Sequence, residues 1–169
     1  MTRPISERSN DYIRNFIAAY GREGGTDGGI YTLKELLVEQ LRRSPRVRSP
    51  RDVLQFIVGT ASASPSGTLT YKQLWQFLFP DTNWKGNHSV SVVSDTLNTV
   101  IAYCVQHGLP LATTLVVQAS SGKLSDSAIT KTYEEARQYG YDVGPVAAIF
   151  VAQQAERSRE LTAEMLPPS

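Results

Sequence analysis

Apolar residues fall at Val93, Leu97, Val100, Ile101 and Cys104, a stripe that stays on one face of a helix of period 3.6. The opposite face carries Ser91, Ser94, Asp95, Asn98, Thr99 and Gln106. This spacing predicts a long amphipathic helix over residues 89–106, stopped by Gly108 and Pro110. Burying side chains of this kind contributes roughly 1.5–3 kcal/mol each before entropy is counted, so the helix is a core element. Downstream, LATTLVVQ is β-branched and reads as a strand, and Ser120-Ser121-Gly122 supplies turn chemistry. Upstream, Thr70 with Gln73 three residues on forms a capping-box pattern for a helix over 71–79, with Leu74, Trp75, Phe77 and Leu78 apolar, ended by Pro80 and Asp81.

The flanks are helical too. A first helix over residues 9–20 is capped by Ser9 or Asn10, shows Tyr12, Ile13, Phe16, Ile17 and Tyr20 on one side, and ends at Gly21. A glycine-rich loop over 21–29 follows; it lacks the lysine and hydroxyl residue of a phosphate-cradling P-loop. Thr32 and Glu35 open a second capped helix to Leu41, and Ser49 or Pro50 starts a third through Val58. After the turn, Ser125 caps a helix ending at Gly140, and Pro145 opens a last one, with Val146, Ile149, Phe150 and Val151 expected to be buried. Past them, Leu161 and Met165 either continue the stripe onto a partner, a second copy included, or fray into solvent. GIYTLKELLVEQL from Gly29 and GTLTYKQLWQFLF from Gly67 share Gly, Thr, Lys and Leu in register, either as a true repeat or because any capped helix starts this way.

The order helix, loop, longer helix, strand, turn is that of a winged helix-turn-helix. The expected fold class is therefore mainly α with a small β-hairpin, a winged-helix-like core carrying N-terminal and C-terminal helices. Four regions follow: an N-terminal helical region with a basic segment (1–60), a linker (61–66), the winged-helix-like domain (67–143), and a C-terminal helix and tail (144–169).

At 169 residues, with 41% hydrophobic and 20% charged content, composition is that of an ordinary globular protein. No run approaches the roughly eighteen apolar residues of a membrane span, and the N-terminus lacks an apolar signal core, so no membrane partner and a cytoplasmic location are expected. The net charge of +1 hides an asymmetry. Arg42, Arg43, Arg46, Arg48 and Arg51 lie in RRSPRVRSPR, a segment that its prolines keep extended. It reads either as a strip that lies along phosphates or as a solvated linker.

No residue set amounts to a catalytic constellation. Cys104-x-x-His107 with His88 lacks a fourth ligand at zinc spacing, so no metal and no cofactor are expected. Glu134 and Glu135 are neighbours on a helix and point apart, the wrong arrangement for an acid/base pair. In DTNWKGNH, Trp84, Lys85, Asn87 and His88 join an aromatic, a cation and amides just before the long helix, suiting contact with phosphate, a base or a partner protein.

TYKQLWQFL, then a helix, then GLPLATTLVVQASSGKLS and a helix ending RQYGYDV resemble, in order and spacing, the winged-helix DNA-binding domain of the alkyltransferase-like and O6-alkylguanine methyltransferase group. The likeness spans residues 67–143. It departs where that family's chemistry lies: its Pro-Cys-His-Arg ahead of Val-Val corresponds here to Leu111-Ala112-Thr113-Thr114 before Leu115-Val116-Val117, so no acceptor cysteine is present for alkyl transfer. The family's arginine on the recognition helix is also missing, since residues 89–106 hold no lysine or arginine.

Two functions follow as expectations. One is a non-enzymatic, regulatory DNA-binding protein in which Lys85, Asn87 and His88 approach the backbone, Asn98 faces a groove, Lys123 on the wing touches phosphate, and Arg42, Arg43, Arg46 and Arg48 add grip. The other is an adaptor module that keeps the winged scaffold and binds a protein through Trp84, Leu161 and Met165.

Overall fold

The computed structural model describes residues 2–43 and 47–168; Arg46 lies outside them. Among the described residues, seven α-helices surround a two-stranded sheet: α1 (Asn10–Glu23), α2 (Leu33–Arg43), α3 (Pro50–Ala63), β1 (Leu69–Thr70), α4 (Tyr71–Leu78), α5 (Asn87–Gln106), β2 (Val116–Val117), α6 (Asp126–Gln138) and α7 (Ala147–Ser158). Short 3-10 turns lie at Ile5–Glu7, Ala112–Leu115 and Ala163–Met165.

The helix starts are set by local side chains. Ser9, Ser49 and Ser125 each accept a hydrogen bond from a backbone N–H in the first turn of α1, α3 and α6. Thr70 and Gln73 close a reciprocal capping box on α4, and Glu35 and Thr32 do the same on α2. α1 runs through Gly21 and ends at Gly24, whose φ of +74° is the left-handed cap that glycine takes without strain.

The hairpin expectation does not hold. β2 pairs in parallel with β1, Leu69 opposite Val116 and Thr70 opposite Val117. After Val117 the chain turns and enters α6 instead of returning as a strand. Most of the stretch expected as a strand is a buried 3-10 turn: Leu111 to Leu115 tuck against α3, α5 and α7, with the turn's own hydrogen bonds closed internally. Gln154, buried on α7, accepts a hydrogen bond from the Leu111 N–H at 3.0 Å and another from the Tyr141 hydroxyl at 3.3 Å. The mainly helical class stands.

One core holds α3 to α7 together: Val53, Leu54 and Ile57 on α3, Leu74 and Trp75 on α4, the full predicted stripe of α5, and Phe150 and Val151 on α7. α3 belongs to this core, so the boundary expected at residue 60 falls inside a helix that packs on α5. A smaller cluster of Ile13, Tyr20, Tyr31, Leu33 and Leu36 joins α1 to α2. Arg43 fastens it, its guanidinium donating to the backbone oxygens of Ile5, Ser6 and Arg8 and to Asn10 Oδ1. Buried Glu39 accepts from both Arg42 and Arg43 at 2.7 Å. Tyr31 donates to the Arg3 carbonyl.

The C-terminal expectations change as well. α7 starts at Ala147 rather than at Pro145, and Val146 and Ile149 are 45% and 57% exposed because Phe150, Val151, Gln154 and Ser158 form its inward face. Leu161 is buried at 8% exposure, since the chain folds back onto the core after α7, and is therefore closed to a partner. Met165 stays exposed.

The Arg42 hydrogen bond and charge, with those of Arg43, hold the Glu39 carboxyl down to about 2. A depressed carboxyl contributes stability that is present above its unfolded value near 4.5 and lost as pH falls toward 2. Glu39→Gln is expected to lower stability at neutral pH by on the order of 2 kcal/mol. The Tm gap to wild type should narrow as thermal unfolding is followed below about pH 4.5; a gap of constant size would assign the loss to packing alone.

Candidate functional site

A cleft of about 250 Å³, lined by both apolar and polar side chains, lies between α5, the 3-10 turn before β2, and α6. Its walls include Val90, Ser94, Leu97 and Ile101 of α5, Ser127, Lys131, Thr132 and Glu135 of α6, and Tyr71, Thr113 and Gln118. The walls are fixed. The Thr114 hydroxyl donates to the Leu111 carbonyl at 2.7 Å and Gln154 holds the Leu111 N–H, so the turn carrying Thr113 has little freedom. Thr113 is 4% exposed, and its Oγ1 has no hydrogen-bond partner among the described residues. A buried hydroxyl left unpaired costs the free protein about 1–3 kcal/mol.

Glu135 forms the acidic wall. Burial pushes its carboxyl up to about 7, against the pull of the Lys131 ammonium at 3.8 Å and with a further push from Asp95. Near neutral pH it is thus poised between an acceptor-only carboxylate and an acid that also donates. Burial likewise raises the Tyr71 phenol, which keeps its proton. Together these groups can satisfy both donors and acceptors on a polar, planar ligand edge. A threonine hydroxyl with no base hydrogen-bonded to it is a recognition group rather than an activated nucleophile.

The expected site residues divide by position. Lys123 is exposed on the turn after β2, where the Gln118 N–H donates to the Lys123 carbonyl at 3.1 Å and Gly122 takes a φ of +67°. Leu124 and Lys131 place that turn at the cleft mouth. Asn87 is exposed and shares a face of α5 with Val90 and Ser94, at i, i+3 and i+7. Lys85 is exposed just ahead of the helix, its N–H bonded to the buried Ser89 hydroxyl at 2.7 Å. Gly86 caps α5 without a side-chain hydrogen bond, leaving first-turn N–H groups open.

Others are spent elsewhere. Asn98 does not face a groove: it is half-buried and accepts from the Tyr139 hydroxyl at 3.0 Å, because α6 packs over that face of α5. Trp84 is half-buried and His88 exposed, both edge-on to Trp75, whose indole N–H donates to the Thr82 carbonyl and anchors the loop. Arg43 is a structural clamp. Arg42 is ion-paired to Glu39 and, with Arg51, lines a separate depression beside Thr99, Tyr103 and Gln106, the α5 face turned away from the cleft. Arg42 and Arg51 and the cleft therefore sit on different sides of the long helix.

Cys104 is buried in the core, which pushes its thiol up to about 12, and His107 lies against the Tyr103 ring at 4.3 Å. Among the described residues no three His, Cys, Asp or Glu side chains are grouped to hold a metal. No described helix is long and apolar enough to cross a membrane. Glu135, Lys131 and Tyr71 are the site residues that sequence reasoning missed. The available signal was the stripe Thr132, Ala136 and Tyr139, which carries Glu135 toward the buried side of α6.

No family model, curated protein or solved structure matches this chain.

A carboxyl raised in the fold contributes stability that is complete below its unfolded value near 4.5 and lost as pH rises through about 7. Glu135→Gln is expected to match wild type in Tm near pH 5 and to exceed it near pH 8, by roughly 1–3 kcal/mol. A pH-independent difference between the two melting curves would mean that Glu135 titrates as an ordinary surface acid.

Proposed function

We propose that this protein is a non-enzymatic, regulatory nucleic-acid-binding module with a winged-helix-like core, most directly a DNA-binding one. The observation that carries the reading is a cleft with Lys131 on its wall, next to the turn between the wall residues Gln118 and Leu124 on which Lys123 stands exposed. Lys85 and Asn87 extend that front to the open N-terminus of α5, where N–H groups and the helix dipole favour phosphate. Lysines contact the backbone, and the cleft offers donors and acceptors to a base edge between those contacts. The order of α4, α5, β2, turn and α6 supports the winged-helix comparison, as does the likeness of residues 67–143 to the alkyltransferase-like group. In this reading the turn at 118–123 stands where a wing would be, with the parallel β1–β2 pair in place of a hairpin.

With two or three lysine–phosphate contacts, affinity for duplex DNA measured by fluorescence anisotropy is expected to fall about 10- to 40-fold between about 50 and 200 mM salt. Alanine at Lys85, Lys123 or Lys131 should each reduce the slope of log affinity against log salt by about 0.9. Absence of binding at the lower salt would sink the reading.

The adaptor reading keeps one specific observation: Val146 and Ile149 lie exposed, i and i+3, at the start of α7. With a second copy as the partner, sedimentation should show a dimer that persists at high salt and dissociates in a Val146→Ser/Ile149→Ser variant. A monomer at every concentration would remove that reading.

A further inference from the structure

Phe56 on α3 and Phe77 on α4 stack face to face, their ring centroids 4.2 Å apart and their planes 6° from parallel. Both are half-buried, at the edge of the main core rather than in it. The Arg48 guanidinium lies over the Phe77 ring, 5.0 Å from its centroid. Arg48 is exposed and has no ion-pair partner among the described residues. This separates it from the other described arginines of its segment: Arg42 and Arg43 are held by Glu39, and Arg51 donates to the Pro167 carbonyl at 2.6 Å. One turn after Phe56, Gly59 is exposed, and a Cβ there would meet nothing within 4 Å, so the surface beside the stack is open. Arg48 also immediately precedes Ser49, the N-cap of α3, at the positive end of that helix. Asp52 is the one acid in that first turn, and among the described residues it pairs with no arginine.

We infer that the Phe56, Phe77 and Arg48 stack is a landing site for an unpaired nucleobase, which gives the protein a preference for single-stranded over duplex nucleic acid. The inference rests on the nucleic-acid reading above but uses a different surface from the cleft. A guanidinium already lying on an aromatic face has its outer face free for a base, while its N–H edges remain available to the adjoining phosphate. Every base has a π-face, so such a platform tolerates any sequence. Bases inside a duplex are covered by their neighbours and cannot use it. Arg42, Arg43 and Arg51 are fixed to protein acceptors, which leaves Arg48, among the described arginines of the segment, with its charge and one face unspent.

The test is binding of a single-stranded oligonucleotide carrying 2-aminopurine, and of its duplex, at about 50 mM salt. Arg48→Lys keeps the charge and removes the plane; Phe77→Leu keeps an apolar side chain and removes the ring. Circular dichroism and Tm confirm that each variant is folded, and the exposed Arg48 makes the first variant safe for the fold. The wild type should quench 2-aminopurine in the single strand. Arg48→Lys should lower single-strand affinity about fivefold or more and abolish the quenching, with duplex affinity changed less than about twofold. Equal affinity and equal quenching in wild type and Arg48→Lys would overturn the stack while leaving duplex binding intact. A protein that binds neither oligonucleotide overturns the nucleic-acid reading as a whole, and the stack with it.

Discussion

The structure depends on the burial of the α5 stripe. Val93, Val100 and Cys104 are fully covered, and α3, α4, α6 and the 3-10 turn before β2 all pack against this one helix. Each covered side chain contributes roughly 1.5–3 kcal/mol, and the contributions are cooperative because the same surfaces serve several neighbours. A helix packed on several sides also distributes surfaces: the cleft lies along one exposed strip of α5, and the depression beside Arg42 and Arg51 along another.

Charge in the molecule is largely committed to its own architecture. Glu39 enters a nearly covered position only because two guanidiniums reach it, and Arg43 in turn satisfies backbone carbonyls that the N-terminal segment would otherwise expose. Such an arrangement fixes the position of α1 against α2 more than it adds net stability, since desolvation opposes the attraction. A basic stretch read from sequence overstates the charge left for a partner by the number of its arginines that the fold consumes. The lysines at 85, 123 and 131, scattered in sequence, remain exposed.

Two buried hydroxyls, of Thr113 and Ser158, have no partner among the described residues. Thr113 is the more informative, because Gln154 and Thr114 lock the turn around it, and the residue lines the cleft that also holds the raised Glu135 carboxyl and the half-buried Tyr71. Polar groups held in place without partners are a cost to the free protein, and recognition sites are where such costs are recovered.

Sequence alone determined what a few neighbouring residues decide. The capping boxes at Thr32 and Thr70, the serine caps at 9, 49 and 125, and the α5 stripe all depend on side chains within one helical turn of each other, so they were legible without knowledge of the rest. Only the tertiary structure decided the parallel pairing of Leu69–Thr70 with Val116–Val117, because strands that short take their partner from whatever packing brings beside them. It likewise decided that Leu161 is buried and Val146 and Ile149 exposed, since a helix with apolar residues around much of its surface has its inward face chosen by its neighbours. The site follows the same division. Lys85, Asn87 and Lys123 were legible as polar residues beside a helix start and in a turn. Asn98 and Arg43 are hydrogen-bonded within the fold, and the Glu135 carboxyl is raised by burial, because hydrogen-bond partners and burial are properties of the space around a side chain and not of the side chain itself.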